Sequence, residues 1–352
     1  MARRLNFQRN QINSEINARL MLLALINRLP GELLAQIFAH SIAPDSWIDL
    51  AIDSPPLIFA RVCKLWHSVA FSTPSLWSSI RAVLDYENPA AHKLKALSQW
   101  LGRAGACPLS LSLSPKEKSS WSAPTEYAPP EINLQTIIAK YLDRWQRLEF
   151  NNSAISNMAP LHYVRALNLI HLTLAISHPS QMLLPSKFMR LKSLDFAFMS
   201  YSLPCLDQHF HLGDLTSLTL RPSPLQSDPQ VYLHVLEILA KCPKLTQFEF
   251  EFWQRSDLFA PPNDASLPVL KLTTLIISSY NPGLLLDSIV VPSLTHLKLT
   301  KPGEQVVLDT FAARSGLVCV GNHELPAHWI GTVDQIRCRS MLYKMSPCNK
   351  RA

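Results

Sequence analysis

A six-residue pattern with large apolar residues at its first, fourth and sixth positions constrains this chain more than any other feature. It runs as Trp145-x-x-Leu148-x-Phe150, Leu169-x-x-Leu172-x-Leu174, Leu191-x-x-Leu194-x-Phe196 and Leu215-x-x-Leu218-x-Leu220. It continues as Leu245-x-x-Phe248-x-Phe250, Leu272-x-x-Leu275-x-Ile277 and Leu294-x-x-Leu297-x-Leu299. The central residue advances by 24, 22, 24, 30, 27 and 22 positions. One such hexapeptide means nothing in a chain rich in leucine; seven at near-regular spacing define a repeat. The alternation at its end is that of a strand buried on one side. A unit of this length cannot bury its apolar side alone, so neighbours must stack into a continuous core. Segments 132–142 and 231–239 carry helical spacing and are expected to pack as outer helices. Leu109-Ser-Leu-Ser-Leu113 reads as an earlier, degenerate unit, preceded by a helix-like stretch through Lys93, Leu94, Leu97 and Leu101. Residues 114–130 hold Pro115, Pro124, Pro129, Pro130 and several serines, the composition of an exposed loop.

The pattern resembles the leucine-rich repeat, L-x-x-L-x-L at a period of about 20–29 residues. The asparagine position that usually follows the strand is not consistently filled, so the array is expected to be irregular. The resemblance implies a solenoid of parallel strands with a concave face lined by the residues between the inward leucines. Lys192, Ser193, Asp195, His296 and Lys298 are examples of such residues. Concave solenoid faces are common recognition surfaces, although any single residue there is more often merely solvated. After Arg314 the repeat stops. Residues 315–352, with the basic Arg337-Cys338-Arg339, are either a cap or tail or sequence foreign to the array. Their poor match to a solenoid cap favours the second reading.

Upstream of the repeats the periodicity is helical. Residues 29–38 read Leu-Pro-Gly-Glu-Leu-Leu-Ala-Gln-Ile-Phe. Proline is expected in the first turn, where its missing N–H costs nothing, and Glu32 suits the positive end of the helix dipole. Leu34, Ile37, Phe38 and Ile42 fall on one face. A second helix is suggested by Ile58, Val62, Leu65, Trp66 and Val69, ending near Ser72-Thr73-Pro74 because the residue before proline leaves the α region. Ser75-Leu76-Trp77-Ser78-Ser79-Ile80 follows as a closing turn. Three short helices have too little core to be very stable alone and should bury apolar surface on a partner. Ile16, Leu20, Leu23 and Ile26 predict an amphipathic lead-in helix before them.

Residues 29–38, with Arg61-Val-Cys-Lys-Leu-Trp-His-Ser-Val-Ala70 and Ser72-Thr-Pro-Ser-Leu-Trp77, resemble the F-box, in the form common among mushroom-forming (basidiomycete) fungi. That resemblance covers about 50 residues. It implies docking to the Skp-family adaptor of a cullin–RING ubiquitin ligase. Leu29, Pro30, Leu33, Leu34 and Ile37 would face the adaptor. Val62, Cys63, Trp66, Leu76 and Trp77 would complete or support that face, some of them filling the domain's own core instead. The long proline-containing connection over residues 43–56 departs from the pattern and is expected to be a tolerated surface insertion.

The net charge of +7 suggests nucleic acid until it is located. Arg3, Arg4, Arg9, Arg19 and Arg28 against Glu15 account for +4 before residue 29, and residues 301–352 for the remaining +3. The body between is neutral, whereas a nucleic-acid groove would show a basic face across it. Seven scattered cysteines without a C-x-x-C pair read as reduced intracellular thiols. The apolar run near residues 20–26 lacks a cleavage site and is far shorter than the ~20 residues that span a bilayer.

No catalytic constellation is visible. His323-Glu324-Leu325-Pro326-Ala327-His328 misses H-E-x-x-H, because its histidines are five apart and proline breaks the helix. His162, His171, His178, His209 and His211 lack ligand spacing. Cys63 reads as an inert thiol on a buried helical stripe. No cofactor and no metal are expected.

The sequence thus predicts an α/β chain: a basic lead-in (1–27), a three-helix F-box (28–81), an irregular leucine-rich-repeat solenoid (82–314) and an atypical tail (315–352). The expected role is a non-enzymatic, intracellular substrate receptor (cytoplasm or nucleus) in a Skp-cullin-F-box ligase. The array would bind an unidentified target protein destined for degradation, with no nucleic acid or membrane as partner. The alternative is a scaffold that uses both parts without ubiquitin transfer.

Overall fold

The structure is a computed structural model. It describes residues 2–23, 25–43, 46–84, 91–115, 134–150, 168–176, 188, 190–198, 206, 210–222, 231–252, 268–279, 281–300, 305–324 and 341–347. The expected loop at 114–130 lies almost wholly outside these residues.

Helix α1 (Ala2–Leu23) leads through a 3-10 turn (Leu25–Arg28) into α2 (Gly31–Ser41), α3 (Leu57–Ala60) and α4 (Lys64–Ser72). Ile26 therefore sits in the 3-10 turn rather than on the lead-in helix. A second 3-10 turn (Pro74–Trp77) delivers the chain to strand β1 (Ser79–Leu84). Then follow α5 (Ala91–Arg103), β2 (Leu109–Pro115), α6 (Leu134–Lys140), β3 (Trp145–Phe150), β4 (His171–Ile176), β5 (Ser193–Phe198) and β6 (Ser217–Pro222). The chain goes on through α7 (Val231–Ala240), β7 (Gln247–Phe252), β8 (Thr274–Ser279), α8 (Gly283–Leu286), β9 (His296–Leu299), α9 (Gln305–Ser315), β10 (Leu317–Glu324) and β11 (Met341–Pro347).

Among the described residues, eleven strands form one mixed sheet, in which β1 to β9 follow sequence order and pair parallel. The register is that of the sequence pattern. Leu148, Leu172, Leu194, Leu218, Phe248, Leu275 and Leu297 stand side by side across β3 to β9, and all are buried. The first residue of most hexapeptides lies just before its strand: Leu169, Leu191, Leu215, Leu245, Leu272 and Leu294 are buried in the turns. Alternate residues of β5, β6, β7 and β8 are buried, as one-sided burial of a strand requires. Helices α5, α6 and α7 contribute Leu94, Leu97, Trp100, Ile137, Ile138, Val235 and Leu239 to the same continuous core.

The turns before the strands hold a device the sequence reading missed. Thr216, Thr246, Thr273 and Thr295 each follow one of those buried leucines. Each donates both its backbone N–H and its Oγ1 hydroxyl to a carbonyl of the preceding unit. Thr246 O, for example, accepts from Thr273 N at 2.8 Å, Thr274 N at 3.1 Å and Thr273 Oγ1 at 3.1 Å. Carbonyls that would otherwise face solvent at the sheet's end are thereby satisfied. The signal was the recurrent Leu-Thr, which a search for asparagine overlooks.

Three features go beyond the sequence reading. First, the sheet begins at Ser79, inside the stretch read as F-box, so β1 is an additional strand. Second, the 43–56 connection is not a free loop. Its Leu50 N–H donates to Arg81 O at 2.8 Å, Arg81 N–H donates to Ile48 O at 2.7 Å, and Ile48 is buried. The ring of Trp47 lies 4.6 Å from the Arg147 guanidinium. Third, part of the segment after Arg314 is built onto the sheet: β11 pairs antiparallel with β9, and β10 pairs antiparallel with β11. Two antiparallel strands thus cover the edge that β9 would otherwise leave unpaired.

Candidate interaction surfaces

In the helical hook, apolar periodicity exceeds what the core can use. On α2, Leu34 and Phe38 are buried, whereas Leu33 and Ile37, one position earlier in each turn, are 46% and 44% exposed. The core of the hook is aromatic: Phe38 stacks on Phe59 with centroids 4.5 Å apart and meets Trp66 at 4.9 Å. Pro30 stands at the N-cap rather than inside the first turn, and its carbonyl accepts from Leu34 N–H.

The second expected helix is broken into α3 and α4 by a turn at Arg61 and Val62. Cys63, extended at φ −158° and ψ 174°, caps α4, its Sγ accepting from Trp66 N–H at 3.5 Å. This corrects the reading of Cys63 as a thiol on a buried helical stripe: it is a half-buried capping residue. The break lets Phe59 and Trp66 reach Phe38 from two directions.

Of the ten residues assigned to the adaptor face, Leu33, Ile37, Val62 and Pro30 are exposed, and Leu29, Cys63 and Trp66 are half-buried. Leu34, Leu76 and Trp77 are withdrawn from that face, for they are 0%, 2% and 0% exposed. Trp77 Nε1 donates to Ala70 O at 2.9 Å, and its ring meets Trp100 of α5 edge-on at 4.9 Å. Arg103 places its guanidinium 4.7 Å from the rings of both Phe71 and Trp77. Through the contacts of Trp100 and Arg103 with Trp77, the hook is joined to α5 of the sheet domain. Two residues not assigned to the face are exposed, Ile58 (44%) and Leu65 (38%), at the spacing of four and three from Val62. Five large apolar side chains, on the three packed helices and in the turn between α3 and α4, are thus open to solvent, the kind of surface that marks an interaction site.

A second surface is the side of the sheet opposite the core. Arg147 pairs with Glu149 at 2.6 Å, while Arg221 bridges Asp195 at 3.0 Å and Glu251 at 3.3 Å. Burial pushes the Asp195 carboxyl up to about 6; Arg221 opposes the shift, and Glu249 and Glu149 reinforce it. Ser193, Asp195, His296 and Lys298 lie on strands of this sheet, whereas Lys192 lies in the turn before β5, its N–H donating to Ile170 O.

Among the described residues, no group of three His, Cys, Asp or Glu could hold a metal ion. His323 and Glu324 lie in strand β10, and residues 325–328 of that motif are outside the described set, as are His162, His178 and His209. His211 lies 3.7 Å from Asp214. Burial raises the Cys242 thiol to about 12, which leaves it protonated and unreactive. No described helix is long and apolar enough to cross a membrane.

No curated protein matches the chain. Residues 26–82 match the F-box-like family, and that span runs from the 3-10 turn before α2 through all three hook helices into β1. The exposed apolar side chains of the hook therefore belong to an F-box-like domain at residues 26–82.

Proposed function

We propose that this chain is the substrate-recognition subunit of a Skp-cullin-F-box ubiquitin ligase. F-box domains generally bind Skp-type adaptors. Here the adaptor would cover Leu33, Ile37, Ile58, Val62 and Leu65, with Pro30 at the rim. Their exposure on an F-box-like domain is the observation that carries this reading. Full burial of such a side chain is worth roughly 1.5–3 kcal/mol, and with these already more than half covered about half of that is left for each to contribute to a complex. The sheet would be an irregular leucine-rich-repeat solenoid that holds a target protein on its concave face, the side opposite the core. The chain itself would do no chemistry; it would bring the target to the ligase's catalytic partners, which is catalysis by proximity.

The test is co-expression with a Skp-family adaptor and size-exclusion chromatography, comparing wild type with the double variant Ile37→Asp/Val62→Asp. Both positions are solvent-exposed, so the variant should fold normally. The reading requires a stoichiometric complex for wild type, recovery of cullin with it, and loss of adaptor from the variant. A folded wild-type chain that binds no adaptor, or a variant that binds undiminished, would overturn it. Adaptor without cullin would mean a scaffold instead.

A further inference from the structure

We propose that the cavity between the hook and the sheet binds an uncharged, hydroxyl-rich molecule of sugar size. This site is separate from the adaptor face and does not depend on ubiquitin transfer.

The cavity has a volume of about 510 Å³, within the roughly 300–1,000 Å³ of pockets that take small ligands. One wall is a row of the sheet: Ser79, Ser110, Arg147 and His171 stand in register across β1 to β4. Their strand neighbours Ile80, Leu111, Leu148 and Leu172 are buried in the core, so this row lies on the opposite side. The C-terminal end of α2 and the connection after it supply another wall, with Ala39, Ile42 and Ala43 as its apolar part.

These walls are bonded to one another. Ile48 O accepts from Arg81 N–H at 2.7 Å, Ser79 Oγ donates to Ser46 O at 3.1 Å, and the Trp47 ring lies 4.6 Å from the Arg147 guanidinium. The cavity is therefore preformed, and a ligand need not order its walls.

Hydrogen-bonding roles in the lining are divided. Ser46 Oγ donates to Ala43 O at 2.7 Å, Ser78 Oγ to Ser75 O at 2.8 Å, and Ser79 Oγ to Ser46 O. With their protons committed, these three oxygens can only accept from a ligand. The sheet side supplies donors. Gln146 is exposed and carries an amide, and Arg147 keeps Nη1 while its Nε and Nη2 are held by Glu149 Oε1 at 3.0 and 2.6 Å. A hydroxyl both donates and accepts, so a polyol satisfies both sets.

Charge narrows the class further. Among the described residues no carboxylate lines the cavity, so a cation finds no partner. An anion meets Arg147 already paired with Glu149, and α2 ends at the wall with its carbonyl pole, equivalent to about half a negative charge. An apolar ligand would cover serine and glutamine groups without bonding them, at about 1–3 kcal/mol for each group left unsatisfied. A neutral sugar avoids all three penalties, and the C–H face of its ring suits Ala39, Ile42 and Ala43.

The experiment is a ligand-observed NMR titration of the full chain at pH 7.5, where an ordinary imidazole such as that of His171 is mostly neutral. The probes are glucose, N-acetylglucosamine and trehalose, with glucuronate and glucosamine as charged relatives. The expected result is saturable binding of at least one neutral sugar, at least tenfold tighter than either charged relative. Gln146→Ala should weaken it about tenfold, and Ala39→Trp, which fills the cavity from an exposed position, should abolish it. Gln247→Ala, in the same row three strands beyond His171, should change nothing. Gln146→Ala only trims an exposed side chain, so the test holds even if circular dichroism shows that Ala39→Trp disturbs α2. N-acetylglucosamine linked to a serine peptide is titrated alongside; either form of the sugar supports the site, and the tighter one identifies its source. Failure of every neutral sugar to saturate would overturn the proposal, the cavity then holding only water. So would glucuronate or glucosamine binding as tightly as glucose, binding that survives Gln146→Ala undiminished, or equal weakening by the two glutamine variants.

Discussion

Trp100 tests whether the F-box-like domain and the sheet share one core. It lies on α5, beyond the family match, yet is 2% exposed and meets Trp77 of the hook edge-on at 4.9 Å. Trp100→Ala removes roughly 150–250 Å² of buried aromatic surface, worth about 4–6 kcal/mol at ~25 cal/mol/Å². Measured Trp-to-Ala losses in cores run to about 3–5 kcal/mol. One contribution runs the other way: Trp100 Nε1 is buried with no acceptor, and removing an unsatisfied donor recovers about 1–2 kcal/mol. The expected net loss is therefore about 3–4 kcal/mol, a large part of the ~5–15 kcal/mol that holds a typical domain together. Urea unfolding followed by tryptophan fluorescence and far-UV circular dichroism measures it, and both signals should move together to lower urea. A loss below about 1 kcal/mol, or two separated transitions with only one displaced, would refute the shared core. The phenylalanine variants sharpen the contrast. Trp77→Phe gives up the hydrogen bond to Ala70 O, whereas Trp100→Phe gives up none and removes an unsatisfied donor, so the first should cost about 2–3 kcal/mol more than the second.

Two further outcomes follow from the sheet. Thr246→Val keeps the β-branched shape but deletes the hydroxyl bonded to Thr216 O at 3.0 Å, and should cost about 1 kcal/mol in the same urea assay; an unchanged midpoint would mean that the backbone bonds alone hold the turns. Asp195 sets a pH dependence. Its carboxyl is raised in the folded state from 3.8 to about 6, so between those values the folded chain holds a proton that the unfolded chain has lost, and stability falls as pH rises through that window. Asp195→Asn removes this dependence, so its stability relative to wild type should climb by up to about 3 kcal/mol from pH 4 to pH 7.5. A difference that stays flat across that range would show that burial does not penalise the carboxylate.

The sequence by itself determined whatever depends on neighbours along the chain. The hexapeptide spacing set the seven middle residues that lie in register across β3 to β9, because strand alternation and repeat length leave one pairing in which every large residue is inside. The paired hook motifs likewise marked the helical segment at residues 26–82. Only the tertiary structure decided exposure, because burial depends on what the rest of the chain lays over a side chain. Leu33 and Leu34 are adjacent and alike, yet Phe59, Trp66 and Phe38 build the core on the side of one and leave the other in solvent. Leu76 and Trp77 read as completing or supporting the adaptor face until tertiary packing, with Trp100 of α5 against Trp77, buries them. Residues 46–50 read as an insertion until β1 offers a free edge, since an unpaired strand edge captures any segment that can supply donors and acceptors. The acids at 149, 195 and 249 are far apart in sequence and come into one row only through four strand pairings, so their mutual repulsion has no local signature.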